Sequence, residues 1–408
     1  MSNPLNLGPL SRRASDMAGT SEAPVTTGSL LWIHATSDLR LRVLCDVGEQ
    51  LVAQRDALDI MTTYDPALMT APGNLPEVYG QPIALPVTGG SHGRNLINNR
   101  KPDLCLWSGG HVNPGLIRYA HDAGTRLVLV DADTEGVQER RRRWFSDPVQ
   151  NAMSRFSRAF ANSAPAADLL RRGGIPVERI DVTQPLRPVP TPPECPDEEV
   201  AEVTQELAGR PVWLATFAHP DEFGFVVAAQ RNAVRHSHRL LLVIYVEDRS
   251  YIDDLLALLE GVTLRHCLWH LGDPIDDQMQ VLVTEDPEDL GLWYRIAPQT
   301  FLGHSLVAGQ GGRCPLDAAA LGSAVLHGPN IGAHSDAYFR LTSAGAAQLV
   351  TDGNALGGQV ARLIAPDIAA EMALAGWDVA TEGAELTERV IKLSHDLLDE
   401  SEADHART

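Results

Sequence analysis

Close to the C-terminal third of the chain, Ser305 to Pro329 reads S-L-V-A-G-Q-G-G-R-C-P-L-D-A-A-A-L-G-S-A-V-L-H-G-P. Gly311 and Gly312 permit positive φ and close backbone approach to a ligand. Pro315 suits the first turn of a helix, where its missing N–H costs nothing. The start of such a helix offers free N–H groups and the positive end of a dipole, which favours a phosphate. Asp317 in that first turn either caps the helix or accepts bonds from ribose hydroxyls, and spacing alone leaves both readings open. The segment Q-E-R-R-R-R-W-F, Gln138 to Phe145, sets Arg140, Arg141, Arg142 and Arg143 beside two aromatic residues. Its default reading is a solvated helix face, and its sharper reading a contact with anionic lipid headgroups. His34 ends an apolar run and reads as a core histidine, while Cys314 has no local histidine partner and reads as a spectator. No Walker A, HExxH or GxSxG pattern is present.

These residues need elements to hold them. From Leu30 short apolar runs alternate with longer amphipathic ones. L-L-W-I-H-A, A-L-D-I-M-T-T, D-L-C-L-W and R-L-V-L-V-D-A read as buried parallel strands, with helices expected over Arg42 to Arg55 and Pro114 to Ala123. The alternation continues to about Val182. Gln184 to Glu199, Q-P-L-R-P-V-P-T-P-P-E-C-P-D-E-E, carries too many prolines for a sheet or helix interior and reads as a linker. A second βα series follows, with P-V-W-L-A-T, R-L-L-L-V-I-Y-V, Q-V-L-V-T and Q-T-F-L-G as strands. The last of these places the glycine-rich segment in the loop at its carboxyl end. The division expected is a tail over 1–28, an acceptor-binding Rossmann-like domain over 29–183, the linker over 184–199, a nucleotide-sugar domain over 200–380, and a C-terminal helix with a frayed acidic tail over 381–408. The fold class is α/β: two doubly wound domains facing a cleft, in which ligands sit beyond the carboxyl ends of the strands. Several classes of enzyme and binding protein share this plan, so architecture does not choose a function.

Composition narrows the classes. The 408 residues carry a formal net charge of −20, which argues against general nucleic-acid binding. Five scattered cysteines without a CxxC pair indicate a reducing compartment and neither a disulfide framework nor a zinc site. No metal or other cofactor is expected. The first residues lack the apolar core of a signal peptide, and the apolar runs are strand-length. A soluble, cytoplasmic protein is expected.

The segment Ser305 to Pro329 resembles the nucleotide-binding segment of the 3-deoxy-D-manno-octulosonic acid (Kdo) transferases. In that family a serine-leucine-valine loop, a Gly-Gly pair and Asn-Pro-x-Glu precede an alanine-rich helix and a Gly-Pro turn. L-L-W-I-H-A-T-S, Leu30 to Ser37, resembles the family's W-I-H-A-x-S strand, and L-A-T-F-A-H-P-D-E, Leu214 to Glu222, its Ala-Thr-Ser-x-His-x-Gly-Glu loop. Weaker echoes run collinearly to about Ile364. The resemblance implies a GT-B fold, a CMP-Kdo donor, a lipid A-type acceptor in lipopolysaccharide biosynthesis and inversion at the sugar carbon. It implies donor contacts from His219, Ser305, Gly311, Gly312 and Asp317.

The departures are chemical. The family's Gly-Glu pair after the first strand, whose glutamate is the catalytic base, is replaced by Leu39 and Arg40. A Glu-x-Glu becomes Gly109, Gly110 and His111, and Pro-Arg-His becomes Val246, Glu247 and Asp248, removing an expected cation near the donor phosphate. Substitute bases must come from nearby loops. Asp38 lies two positions before the lost glutamate, and His111, with an ordinary pKa of about 6.5, suits proton transfer at neutral pH. N-capping by Asp38 and polar packing by His111 are the simpler roles. Without the family's membrane-anchoring segment, contact with the inner face of the inner membrane is expected to be peripheral. Two rival readings are a related transferase with another donor or acceptor, and a non-catalytic paralogue that binds glycolipid or a partner enzyme.

Overall fold

A computed structural model describes residues 28–72, 79–85, 90–137, 148–272 and 275–407. The first sheet is built from β1 (Ser29–Ala35), β2 (Leu58–Tyr64), β3 (Ile83–Ala84), β4 (Leu104–Ser108), β5 (Arg126–Ala132), β6 (Arg158–Ala161) and β7 (Ile180–Val182). Its order is β3-β2-β1-β4-β5-β6-β7, and every neighbouring pair is parallel. The second sheet comprises β8 (Val212–Thr216), β9 (Leu241–Tyr245), β10 (His266–Leu268), β11 (Val281–Thr284), β12 (Gln299–Leu302), β13 (Ala324–His327) and β14 (Ala347–Leu349). It runs β10-β11-β9-β8-β12-β13-β14, again all parallel.

The strands are apolar on both faces because helices cover both. β1, β4 and β5 bury nearly every residue, and Trp32, Trp107, Leu127 and Leu129 pack on one side of the sheet while Leu31, Ile33, Leu106 and Val128 pack on the other. In each sheet the strand order reverses direction once: between β1 and β4, and between β8 and β12. A doubly wound sheet opens a crevice at that point, beyond the carboxyl ends of the two strands.

The linker is 183–196 without regular structure, and the helix Asp197–Leu207 opens the second domain with Asp197, Glu198 and Glu199 in its first turn, matching its dipole. The strap is fastened rather than loose. Leu186 is buried in the first domain's core, and Arg187 pairs with Asp336 at 3.4 Å.

The C-terminal segment differs from the frayed tail expected of its acidic residues. Ala384–His405 is one continuous helix that crosses back onto the first domain. Leu386, Val390, Leu397 and Leu398 enter that domain's core. The acids that look like a solvated tail in sequence find distant arginines: Arg55 pairs with Asp399 at 2.6 Å and Glu402 at 2.8 Å, and Arg126 with Asp404 at 3.0 Å. Ser401 donates to the buried Asp103 at 2.8 Å. Leu398→Ala is expected to lower unfolding free energy by about 2–5 kcal/mol, the cost of an emptied core site. Urea titration of the full chain measures it; a change near zero would mean that the helix docks without supporting the first domain.

Candidate functional site

The centre of the second domain's crevice is a carboxylate with no counter-ion. The helix Pro220–Ala233 follows β8, and its third residue, Glu222, is fully buried. Glu222 Oε2 accepts the backbone N–H of His219 at 2.9 Å and of His304 at 2.7 Å. Oε1 accepts those of Ser305 at 2.9 Å, Leu306 at 2.6 Å and Val307 at 3.4 Å. Among the described residues no cation pairs with it. A buried carboxylate is tolerated when N–H dipoles satisfy its lone pairs, and those bonds are among the stronger ones a protein makes. Glu222 therefore ties the loop after β8 to the loop after β12 across the switch point.

Ser305 completes the knot. It is fully buried; its hydroxyl donates to Leu302 O at 2.5 Å and accepts Gly328 N–H at 2.8 Å. Asn330 binds its carbonyl through both backbone and side chain, at 2.8 and 3.1 Å. Every polar group of Ser305 is engaged with the protein.

Around this frame lie groups able to meet a ligand. His219 caps the helix Pro220–Ala233, its Nδ1 accepting Asp221 N–H at 3.3 Å, and its ring stands 5.6 Å from that of His304. Burial first, and Arg313 second, depress the pKa of His304. Gly311 and Gly312 take φ of +81° and +78°, the left-handed values that their pairing in the sequence anticipates. The helix after them is a single short turn, Leu316–Ala320, too brief to carry much of a dipole. Its N-cap is Pro315, and Asp317 does not cap it. Burial raises the pKa of the Asp317 carboxyl, and the backbone of Thr191 in the linker acts against that rise.

In the first domain the matching crevice holds an ion-pair cluster. Arg40 Nε binds Asp131 at 2.7 Å, its Nη2 binds Asp133 at 2.5 Å and the Asp131 carbonyl at 3.0 Å, and its Nη1 donates to Thr36 Oγ1 at 3.2 Å. Asp131 also accepts Leu186 N–H from the linker at 3.2 Å. Gly109 makes room: a Cβ there would stand 2.6 Å from Thr36 Oγ1 and 2.8 Å from Arg40 Nη1. Asp38 is exposed in the first turn of the helix Asp38–Gln54, whose cap is Ser37, accepting Arg40 N–H at 3.3 Å. His111 is half-buried in the loop after β4, and its carbonyl accepts Trp107 Nε1 at 2.9 Å. Asp38 and His111 thus follow the carboxyl ends of the neighbouring central strands β1 and β4.

The two crevices face one another. Arg42, on the helix Asp38–Gln54, and Arg313 both depress the pKa of His334, after desolvation. Asp46 on the same helix acts on Cys314. Desolvation and Glu49 raise the Asp46 carboxyl to about 6.

The cluster Arg140 to Arg143 lies outside the described residues. His34 is the core residue its run implies: buried, 3.8 Å ring to ring from Trp107, with Nδ1 2.8 Å from Thr63 Oγ1. Sequence reasoning missed Glu222, Arg313 and the Arg40 cluster as site groups. For Glu222 the signal was its place at the end of the His-x-x-Glu run after a strand, which reads as an ordinary first-turn acid until the second loop is folded against it. Among the described residues no cluster of His, Cys, Asp or Glu has metal-site geometry, and no helix is long and apolar enough to cross a membrane.

Residues 11–188 match the family model described as 3-deoxy-D-manno-octulosonic-acid transferase (kdotransferase). A curated 3-deoxy-D-manno-octulosonic acid transferase of Rickettsia bellii (strain RML369-C) is 22% identical over 357 residues, covering 84% of this chain and 81% of that protein. Among solved structures, the C-terminal CMP-Kdo binding domain of WaaA from Acinetobacter baumannii is 19% identical, covering 45% of this chain and 96% of that one with a TM-score of 0.42. A glycosyltransferase from Rickettsia africae ESF-5 is 12% identical, covering 92% and 99% with a TM-score of 0.42. Two doubly wound seven-stranded sheets, facing crevices and a final helix crossing back define a GT-B fold. The chain is thus similar to Kdo transferases, through the family model over residues 11–188 and through the curated relative over most of its length.

Burial lowers the pKa of His34 to about 3. Its unfolded value is about 6.5, so the unfolded chain takes up the proton first and stability falls as pH drops below about 6.5, continuing towards 3. Relative to His34→Phe, the wild type is expected to lose roughly 1.4 kcal/mol per pH unit between pH 6 and 4. Urea midpoints of both proteins across that range check it, and parallel curves would contradict it.

Proposed function

We propose that this protein transfers an acidic, Kdo-like sugar from a CMP-activated donor to a lipid A-type acceptor in lipopolysaccharide biosynthesis, with inversion at the sugar carbon. The observation that carries the reading is the Glu222 knot, which fixes the glycine-rich loop beside His219 and His304 at the second domain's switch point. A loop pinned through four backbone N–H groups, with a fifth holding the His219 loop to the same carboxylate, presents Gly311, Gly312 and the rings already ordered before binding. Asp317, whose pKa burial raises, supplies a carboxylate for ribose hydroxyls beside the linker.

The acceptor proton goes to Asp38 or His111 in this proposal, since both follow the switch-point strands of the first domain. A lipid acceptor places the protein peripherally at the inner face of the inner membrane, with Arg140 to Arg143 on anionic headgroups. One observation favours a second reading, a non-catalytic paralogue that binds glycolipid or a partner: Arg40 stands where the family's glutamate is expected, and two aspartates hold it. An arginine stays protonated at any physiological pH and takes no proton.

Calorimetry with the full chain is expected to show CMP preferred over UDP and ADP, and Asp317→Ala to weaken CMP by roughly 1–3 kcal/mol. In a transfer assay, loss of about 100-fold or more in either His111→Ala or Asp38→Ala identifies the base. Unchanged turnover in both removes both candidates, and CMP binding without turnover of any Kdo donor supports the non-catalytic reading.

A further inference from the structure

The second domain carries a cation in a place the strand-end sequence Val246-Glu247-Asp248 does not supply. Arg313 leaves the glycine-rich loop after β12 and lies across the ends of three strands. Its guanidinium carbon is 5.1 Å from the centre of the Phe217 ring, just after β8, and that ring meets the Tyr245 ring of β9 edge-on at 5.1 Å. Its Nη2 pairs with Glu247, two residues beyond the end of β9. Its backbone is held separately: Tyr338, buried, donates its hydroxyl to Arg313 O at 2.8 Å. The loop and the side chain are thus fixed by different contacts.

Two features separate this arginine from an ordinary surface ion pair. Its Nε is buried without an acceptor, although its side chain is 34% exposed. A buried donor left unpaired carries a cost that a ligand acceptor relieves. Its partner is also half in water, with the Glu247 side chain 46% exposed. Such a pair contributes little to stability and can be exchanged at little cost. After burial, Arg313 depresses the pKa of His304, whose ring stands 5.6 Å from that of His219. Three groups able to donate to an anion therefore converge on the switch point, with one carboxylate neutralising the cation among them.

We propose that Arg313 is the specificity-determining cation for the donor's phosphate, and that Glu247 is a competing ion that releases it when phosphate binds. The inference rests on the reading of this crevice as a nucleotide-sugar site. Planar guanidinium forks suit phosphate oxygens, and the Phe217 face orients the fork without consuming its donors. Binding exchanges an exposed carboxylate for a phosphate that also reaches the buried Nε. Glu247 consequently works as a discriminator: neutral ligands fail to displace it, and phosphate esters succeed.

The test uses calorimetry on the full chain with CMP and with cytidine, which differ by the phosphate alone. Wild type is expected to bind CMP at least tenfold more tightly than cytidine. Arg313→Gln should abolish that difference while leaving cytidine affinity unchanged, Arg313→Lys should keep part of it, and Glu247→Gln should tighten CMP about threefold or more with cytidine unaffected. Circular dichroism and urea midpoints establish that each variant is folded; if Arg313→Gln is not, Glu247→Gln alone decides, since weaker CMP binding there contradicts competition. CMP affinity unchanged in Arg313→Gln overturns this inference and leaves the nucleotide reading standing. No binding of CMP or cytidine by the wild type overturns that reading and this one together.

Discussion

A fully buried carboxylate bonded to five backbone N–H groups, that of Glu222, is the constraint on which the second domain's crevice depends. The loops after β8 and β12 have no regular structure, and each on its own would spend several residues' worth of conformational entropy to hold one shape. Charge does that work here because its lone pairs are met only when both loops are in place. Removing either loop from the other would strand an anion in the core, which is far more costly than losing a neutral hydrogen bond. Ser305, knotted to Gly328 and Asn330, extends the same rigidity to β13.

The first domain solves the equivalent problem with opposite chemistry. At its switch point the cation Arg40 is the hub, and Asp131, Asp133 and Thr36 are its spokes. Asp131 itself sits at φ +53°, a strained value for a residue other than glycine, and is held by Arg40, Asn162 and the linker. The linker is bonded to the first of these hubs through Leu186 N–H and Asp131, and in the second domain Thr191 lies close enough to Asp317 to lower its pKa against the effect of burial.

Much of the fold is legible in the sequence because it is written as long apolar runs. β1, β2, β4, β5, β8, β9, β11, β12 and β13 all fall on such runs, and the proline-rich strap falls where proline forbids ladders. The edge strands β3, β7, β10 and β14 are two or three residues long and partly exposed, so no run marks them. A C-terminal helix is legible, but its last residues read as a frayed tail because their acids pair with arginines more than 270 positions away, which composition does not reveal. The site was legible where backbone conformation is encoded, at Gly311 and Gly312, and illegible where tertiary contact decides. Glu222 lies in a helix's first turn and Ser305 and Arg313 in a loop; only the folded loops make Glu222 a hub, knot Ser305 to its neighbours and set Arg313 between Phe217 and Glu247. Motif resemblance located Arg40 as a departure, yet the two aspartates that neutralise it lie on another strand's end.

The central claim is that Glu222 holds the loop after β12 rigid before any ligand arrives, and amide hydrogen exchange on the free full-length chain tests it most directly. The N–H groups of His304, Ser305, Leu306 and Val307 are expected to exchange as slowly as those of β12 itself, and in Glu222→Gln to exchange at least about 100-fold faster while β12 stays protected. Fast exchange of these four amides in the wild type, at the rate of an open loop, would contradict the account.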